Sequence, residues 1–317
     1  MKRKKKKSRI NLVLILLFIL LAFLIYKGVK TMQKKDTSDS EKTEVENVAD
    51  TSESNEDEND SKPTRDLNHL SNTEASFGEI DKPLYKKGEK ELKLPIIIYH
   101  EFETPVPEDD IYKLYSTEAR FEENVTTLLD AGYTFITLED LYKYDQGYIG
   151  LPEKNVIITI DDGAIGCYTE AFNVAKKYNV PMTIFVVENL VGTDHYFSWE
   201  AAKEMYDTGL VKIHVHGQQH INATDYSTNE QLVAAYNHAQ QSIEENLGEN
   251  NIMKIMAYPA GKSSANTISA LKQAGFEIQV QTRYGTVNRS STLDLTNLGR
   301  VRGEQASGAS LLSAFGD

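Results

Sequence analysis

Apolar side chains are distributed along the 317 residues in three different ways. Leu12 to Tyr26 is an unbroken apolar run, reaching seventeen residues when Ile10 and Asn11 are counted. From Asp36 to Asp60 large apolar side chains almost disappear. From about residue 92 short apolar runs alternate with stretches of helical periodicity. This last pattern predicts strands near Pro95 to Tyr99, Thr134 to Thr137, Val156 to Ile160, Met182 to Val187, Val211 to Val215, Met253 to Tyr258 and Glu277 to Thr282. Ser116 is the expected N-cap of a helix running through Leu129 and closed by Gly132. Thr228 is the expected cap of a long one that reaches Leu247 before Gly248. Seven β-then-α units imply a parallel sheet with helices outside, and the length favours closure: an α/β fold of the distorted (β/α)7-barrel type. Chemistry on such folds collects at the C-terminal ends of the strands.

The first two regions change the picture of where that barrel works. Seven basic side chains lie between Lys2 and Arg9. They precede an apolar run at the short end of the roughly 17 to 25 residues that a spanning helix needs. The expectation is a cytoplasmic basic tail (1–9), an uncleaved transmembrane anchor (10–30) and everything beyond it outside the cell. Between Asp36 and Asp60 eleven acidic residues face one lysine. Such a segment cannot bury enough surface to offset its ordering entropy, so residues 31–91 are expected to form a disordered acidic linker. The catalytic domain is then expected at 92–317. The spacer carries most of the formal net charge of −13, and nothing in the charge pattern argues for nucleic acid as a partner. The one cysteine, Cys167, permits no internal disulfide and has no basic neighbours in sequence, so it reads as a packing residue.

At the strand exits stand Tyr99-His100-Glu101, Asp161-Asp162-Gly163, His216 with His220, and Tyr258-Pro259-Ala260-Gly261. Singly, each has a structural explanation; together they deliver metal ligands and acid–base groups to one rim. His216 and His220 are four apart, which puts both imidazoles on one face of a helix, while in a loop Gly217 allows the same convergence. Two histidines and one carboxylate make a common ligand set for catalytic Zn²⁺ with a position left open. In an extended exit Asp161 and Asp162 point opposite ways, so one can bind the ion while the other takes a proton. His214 shares the strand face of His216 but is left out of the ligand set. Tyr196, Phe197 and Trp199 could contribute to a sugar platform, although aromatics at such spacing more often pack a core.

With these motifs the chain resembles the polysaccharide deacetylase family, carbohydrate esterase family 4, whose domain is also called the NodB homology domain. The likeness covers residues 95 to about 302. "TIDDG" (Thr159 to Gly163) stands for Thr-Phe-Asp-Asp-Gly, and "HGQQH" for His-Ser/Thr-x-x-His. "MAYPAG" and "IIIYHEF" are similar to motifs of the poly-N-acetylglucosamine deacetylase branch. The resemblance implies Asp161 as general base and Asp162, His216 and His220 as ligands of Zn²⁺, or of another divalent transition metal such as Co²⁺. It implies an oxyanion contact from the backbone N–H of Tyr258. No histidine follows His238, so the late Leu-x-His motif is absent and His100 is the candidate general acid. Three positions depart from the family: Gly217 for a hydroxyl residue, Ala257 where many members place an arginine that orients the base, and Ile160 for Phe. Arg300 or Arg302 could supply the missing guanidinium.

The implied activity is metal-assisted removal of N-acetyl groups from an N-acetylglucosamine polymer at the cell surface, either peptidoglycan or poly-N-acetylglucosamine. O-acetyl ester hydrolysis on a wall polymer would use the same groups. A wall-binding protein of this fold that has lost activity is the contrasting class, motivated by Gly217 and Ala257.

Overall fold

The computed structural model describes residues 74–317. The expected basic tail, the anchor and residues 31–73 of the expected linker lie outside the described residues. Among the described residues no helix is long and apolar enough to cross a membrane.

Seven parallel strands close a ring: β1 (Ile96–Tyr99), β2 (Asn155–Ile160), β3 (Met182–Val186), β4 (Val211–Val215), β5 (Ile255–Ala257), β6 (Ile278–Tyr284) and β7 (Leu298–Arg302). Each pairs with its successor in the chain. β7 closes the ring on β1 through the register Val301↔Ile97 and Arg302↔Ile98. Helices α1 (Glu118–Asp130), α2 (Leu138–Asp145), α3 (Phe172–Tyr178), α4 (Trp199–Asp207), α5 (Asn229–Leu247), α6 (Ala265–Gln273) and α7 (Gly308–Phe315) complete the chain.

Period-two alternation divides the strands between two apolar clusters. Ile158, Ile184, Ile213 and Met256 pack with helix residues such as Phe121, Leu128, Phe172 and Ile243 outside the ring. Ile157, Phe185, Ile255, Ile278 and Leu298 form the interior, joined by Leu138, Leu141 and Tyr144 of α2. Strands buried on both faces read as continuous apolar runs, which is why most are legible in the sequence.

The expected barrel form is present, with one strand exchanged. Thr134 to Thr137 contributes only a two-residue strand, Thr134–Phe135, paired with Asn155 and Val156 of β2. The seventh place in the ring belongs to Leu298–Arg302, which the apolar pattern does not mark. Two arginines interrupt that run, and the buried one is compensated by a carboxylate 139 residues earlier in the chain. The cap of α1 is Thr117, one residue beyond the expected Ser116: its side chain accepts from Arg120 N, while Ser116 lies in a two-residue strand paired with Glu101–Phe102. The caps of α5 are as expected, with Thr228 accepting from Gln231 N and Gly248 left-handed.

The expected boundary at residue 92 also moves. Residues 74–91 lie on the barrel rather than in a linker: Leu84–Tyr85 pairs antiparallel with Leu151–Pro152. Ala75, Phe77 and Tyr85 pack against the interior cluster. Ser76 N–H donates to Asp140 Oδ1 at 2.9 Å. A few apolar side chains in a polar segment suffice when a preformed surface receives them.

Candidate active site and metal centre

The alternation that sorts the apolar residues also aims the polar ones. On β2, Ile157 and Thr159 face inward, so Asp161 at the exit does too. On β4 the inward series runs through His214 to His216, on β7 from Leu298 to Arg300, and on β1 through Ile96 to His100. Four strands thus bring Asp161, His216, Arg300 and His100 to one layer at the C-terminal rim, where all four are buried.

Asp161 is held on both oxygens: Arg300 Nη1 donates to Oδ1 and Nη2 to Oδ2, each at 2.7 Å. The guanidinium is itself fixed by Nε donating to Gln281 O at 3.0 Å. Of the two candidate arginines, Arg300 is therefore the one that holds Asp161. Ala257 is an interior residue of β5, so the family's usual arginine position is filled by a small side chain and the guanidinium arrives from β7. Burial works against ionisation of Asp161, but the Arg300 and His216 side chains hold its carboxyl below the usual range.

The second acid parts from the first by a backbone turn rather than by strand alternation alone. β2 ends at Ile160, and Asp162 is left-handed at φ 73°. Its Oδ1 lies 3.3 Å from His216 Nε2 and 3.4 Å from His220 Nε2. One ligand atom from each of the three residues falls within 4.8 Å of the others. Asp162 Oδ1 is buried and has no hydrogen-bond donor. His216 Nδ1 donates to Ala257 O at 3.0 Å, which fixes the ring with Nε2 turned toward Asp162. An orphan carboxylate oxygen and two imidazole nitrogens fit a divalent cation of the zinc type. Burial opposes the ionised form of Asp162, yet the neighbouring imidazoles, His216 first, hold its carboxyl far below the usual range. His220 is pushed down by burial and then by His216. Its side chain is 45% exposed, so the cluster opens to solvent on that side.

The loop between the two histidines is not helical. Gly217 has φ +94°, and its carbonyl accepts from Glu188 N–H at 3.1 Å while that of Gln218 accepts from Asn189 N–H at 3.0 Å. A side chain at 217 would be strained in that conformation, which accounts for glycine replacing the family's hydroxyl residue.

His100 completes the layer. Its Nδ1 meets Glu304 Oε1 at 2.7 Å, and its Nε2 lies 4.0 Å from Asp161 Oδ2. Burial would lower the imidazole pKa, but the Glu304 bond and the Asp161 charge together raise it. The sequence motifs do not point to Glu304. Its one signal there is a lone acid just beyond a strand rich in arginine. Glu101 is a further rim residue to which the motifs assign no role: partly buried, its carboxyl is pushed up to about 7, first by desolvation and then by the Asp162 charge.

Tyr258 is placed differently from the expectation. Its N–H donates to Val280 O at 3.1 Å within the sheet, so an oxyanion contact there requires that bond to open. Its hydroxyl is buried on Gln279 Oε1 at 2.5 Å. Gly261 of the same motif is required, because a Cβ there would run into the Thr282 side chain. Phe197 is fully buried and Trp199 packs on the outer cluster, so these aromatics belong to the core. Cys167 is buried and its thiol pKa is raised by that burial, as a packing role requires.

The family model described as "Polysaccharide deacetylase" matches residues 149–279. A putative polysaccharide deacetylase YxkH of Bacillus subtilis is 28% identical over 240 residues, 75% of this chain and 81% of that protein. A poly-beta-1,6-N-acetyl-D-glucosamine N-deacetylase of Staphylococcus epidermidis is 28% identical over 231 residues, 66% of this chain and 78% of that one. The Streptococcus pyogenes deacetylase PplD, solved with acetate, superposes with TM-score 0.64 at 23% identity over 71% of this chain and 99% of its own. IcaB from Ammonifex degensii does so with TM-score 0.62 at 25% identity, over 71% and 97%.

Proposed function

We propose, for a chain that belongs to the polysaccharide deacetylase family, that it removes N-acetyl groups from an N-acetylglucosamine-containing polysaccharide outside the cell, held at the membrane by its N-terminal apolar run. The observation that carries this reading is the single layer in which a buried carboxylate and a buried imidazole face each other at 4.0 Å beside the Asp162, His216 and His220 cluster. The names of the staphylococcal relatives support the substrate class.

A divalent cation held by Asp162, His216 and His220 would supply Lewis-acid polarisation of the acetyl carbonyl and a more acidic water. Asp161 takes the proton from the attacking water. Arg300 keeps this base ionised and aims it, since both carboxylate oxygens are held. The amine is a poor leaving group and must be protonated as the C–N bond breaks. His100 does this from Nε2: its Nδ1 is engaged by Glu304, which leaves Nε2 facing the same space as Asp161. Against the pull of burial, the Glu304 bond and the Asp161 charge raise the His100 pKa, which favours the proton it is to donate. The inactive wall-binding reading loses its two motives, because Arg300 replaces the missing arginine and Gly217 is required by the loop.

The test uses the full chain. Zinc content is measured, and acetate release is followed from chitooligosaccharides, poly-N-acetylglucosamine and peptidoglycan, with Asp161→Asn and His216→Ala as controls. Release from an N-acetyl substrate that Asp161→Asn lowers by about 10²- to 10⁴-fold is the expected result. Bound zinc with no release from any of them would overturn it.

A further inference from the structure

The second arginine of β7 makes a different set of contacts. Arg302 Nε donates to Glu304 Oε2 at 3.2 Å. Its Nη2 donates to Tyr112 O at 3.3 Å and to Lys113 O. The guanidinium also lies 5.0 Å over the ring of Tyr284. Glu304 has no exposure at all, and its other oxygen is the one that meets His100 Nδ1 at 2.7 Å. A continuous line of polar contacts therefore runs from the carbonyls of Tyr112 and Lys113 through Arg302 and Glu304 to His100.

The far end of that line is a surface loop, residues 103–114. Asp110 staples its base by accepting from Leu114 N–H at 2.9 Å and Tyr115 N–H at 3.2 Å. Its tip holds Ile111 and Tyr112 out at 76% and 73% exposure. Tyr284, under Arg302, is half exposed as well. Ile111 and Tyr112, with Tyr284, place apolar surface at the Arg302 end of this line. Aromatic rings there suit the apolar faces of sugar rings.

We infer that Arg302 is a positioning residue for His100, making the setting of the Glu304–His100 pair depend on the loop that offers Ile111 and Tyr112 to a bound sugar chain. The inference rests on the N-deacetylase reading for its chemistry. A buried carboxylate keeps its charge and its place only while its oxygens are satisfied. Without Arg302, Glu304 Oε2 loses the guanidinium, and the buried carboxylate turns toward another donor. His100 Nδ1 then loses a fixed acceptor, and the donor at Nε2 is no longer held toward the departing nitrogen.

The experiment compares the full wild-type chain with Arg302→Gln and Arg302→Lys on two substrates. One is an N-acetylglucosamine oligomer, whose amine must be protonated to leave; the other is 4-nitrophenyl acetate, whose phenoxide leaves without a proton. General-acid assistance is worth about 10²- to 10⁴-fold. Arg302→Gln should therefore lower kcat on the oligomer by at least about tenfold with KM nearly unchanged, and leave aryl acetate hydrolysis within about twofold. Arg302→Lys keeps the charge but not the fork, so it should recover only part of the loss. Equal losses on both substrates, or a rise in KM alone, would overturn the inference and leave Arg302 a loop anchor. Hydrogen exchange adds a readout independent of activity: Arg302→Gln should speed exchange at the amides of Glu101, Leu114 and Tyr115. Unchanged exchange there sinks the coupling. A wild type inactive on the oligomer would refute the N-deacetylase reading and, with it, the acid role assigned here to His100.

Discussion

His214 on β4 and His216 just past its end lie two residues apart and face the same barrel interior, yet the two ends of the barrel use them differently. Toward the lower end, His214 Nε2 meets Glu139 Oε1 at 2.9 Å, and Glu139 belongs to the first turn of α2. That pair ties the helix to the ring and lines, with Lys212 and Met253, a separate pocket at that end. At the upper end, His216 and His220 converge on one oxygen of Asp162 that has no hydrogen-bond donor, and His220 stands half in solvent. The residue types are the same. What separates the two is convergence: Glu139 Oε1 meets one buried imidazole, whereas Asp162 Oδ1 meets two, one of them open to solvent.

The comparison breaks most sharply on metal. His216→Ala should abolish stoichiometric zinc and lower activity by at least about 10²-fold, whereas His214→Ala should keep zinc and lose stability instead, by about 1–3 kcal/mol. Elemental analysis beside urea unfolding reads both, and loss of zinc in the His214 variant would erase the distinction. Next in size is Arg300→Met. It leaves Asp161 buried without its cation, so a cost of about 3–5 kcal/mol is expected together with loss of activity. A variant as stable as the wild type would mean that water reaches Asp161.

A smaller effect separates the ends by pH. His214 lies against Glu139: burial opposes ionisation, but the imidazole and then Lys212 pull the carboxyl down to about 2 from an ordinary 4.5. A carboxyl lowered in the folded state contributes stability that is present above its unfolded value. That contribution is lost as pH falls from about 4.5 toward 2. Urea midpoints measured down this range should fall less steeply in Glu139→Gln than in the wild type, and parallel curves would refute the assignment. The smallest change is expected at Gly217. Restoring the family's residue with Gly217→Ser should cost about 1 kcal/mol and bring no gain in activity, because the conformation is left-handed. A more active serine variant would show the loop to be free to turn.

Much of this architecture is legible in the amino-acid order. Strands buried on both faces stand out as apolar runs, and the caps of α5 follow from Thr228 and Gly248. The pair Asp161 and Asp162, with His216 and His220, stands out because local spacing and strand exits bring them to one rim. The features that the pattern hides share a physical cause. β7 is hidden because Arg300 breaks its apolar run, and only the carboxylate across the barrel makes such a residue tolerable inside. Glu304 is hidden because its partner, His100, is 204 residues away. Residues 74–91 resemble linker because the surface that receives Phe77 and Tyr85 is built by later segments.

The sequence by itself determined the barrel class and brought Asp161, Asp162, His216 and His220 to one rim, since these depend on periodicities of two or on neighbours within a few positions; which acid joins the histidines came from the family resemblance and not from spacing. The tertiary structure alone decided which arginine holds Asp161, which acid holds His100, and that the Tyr258 N–H is engaged in the sheet. Those outcomes depend on ring closure, which brings the first and last strands side by side and pairs charges that chain distance keeps apart.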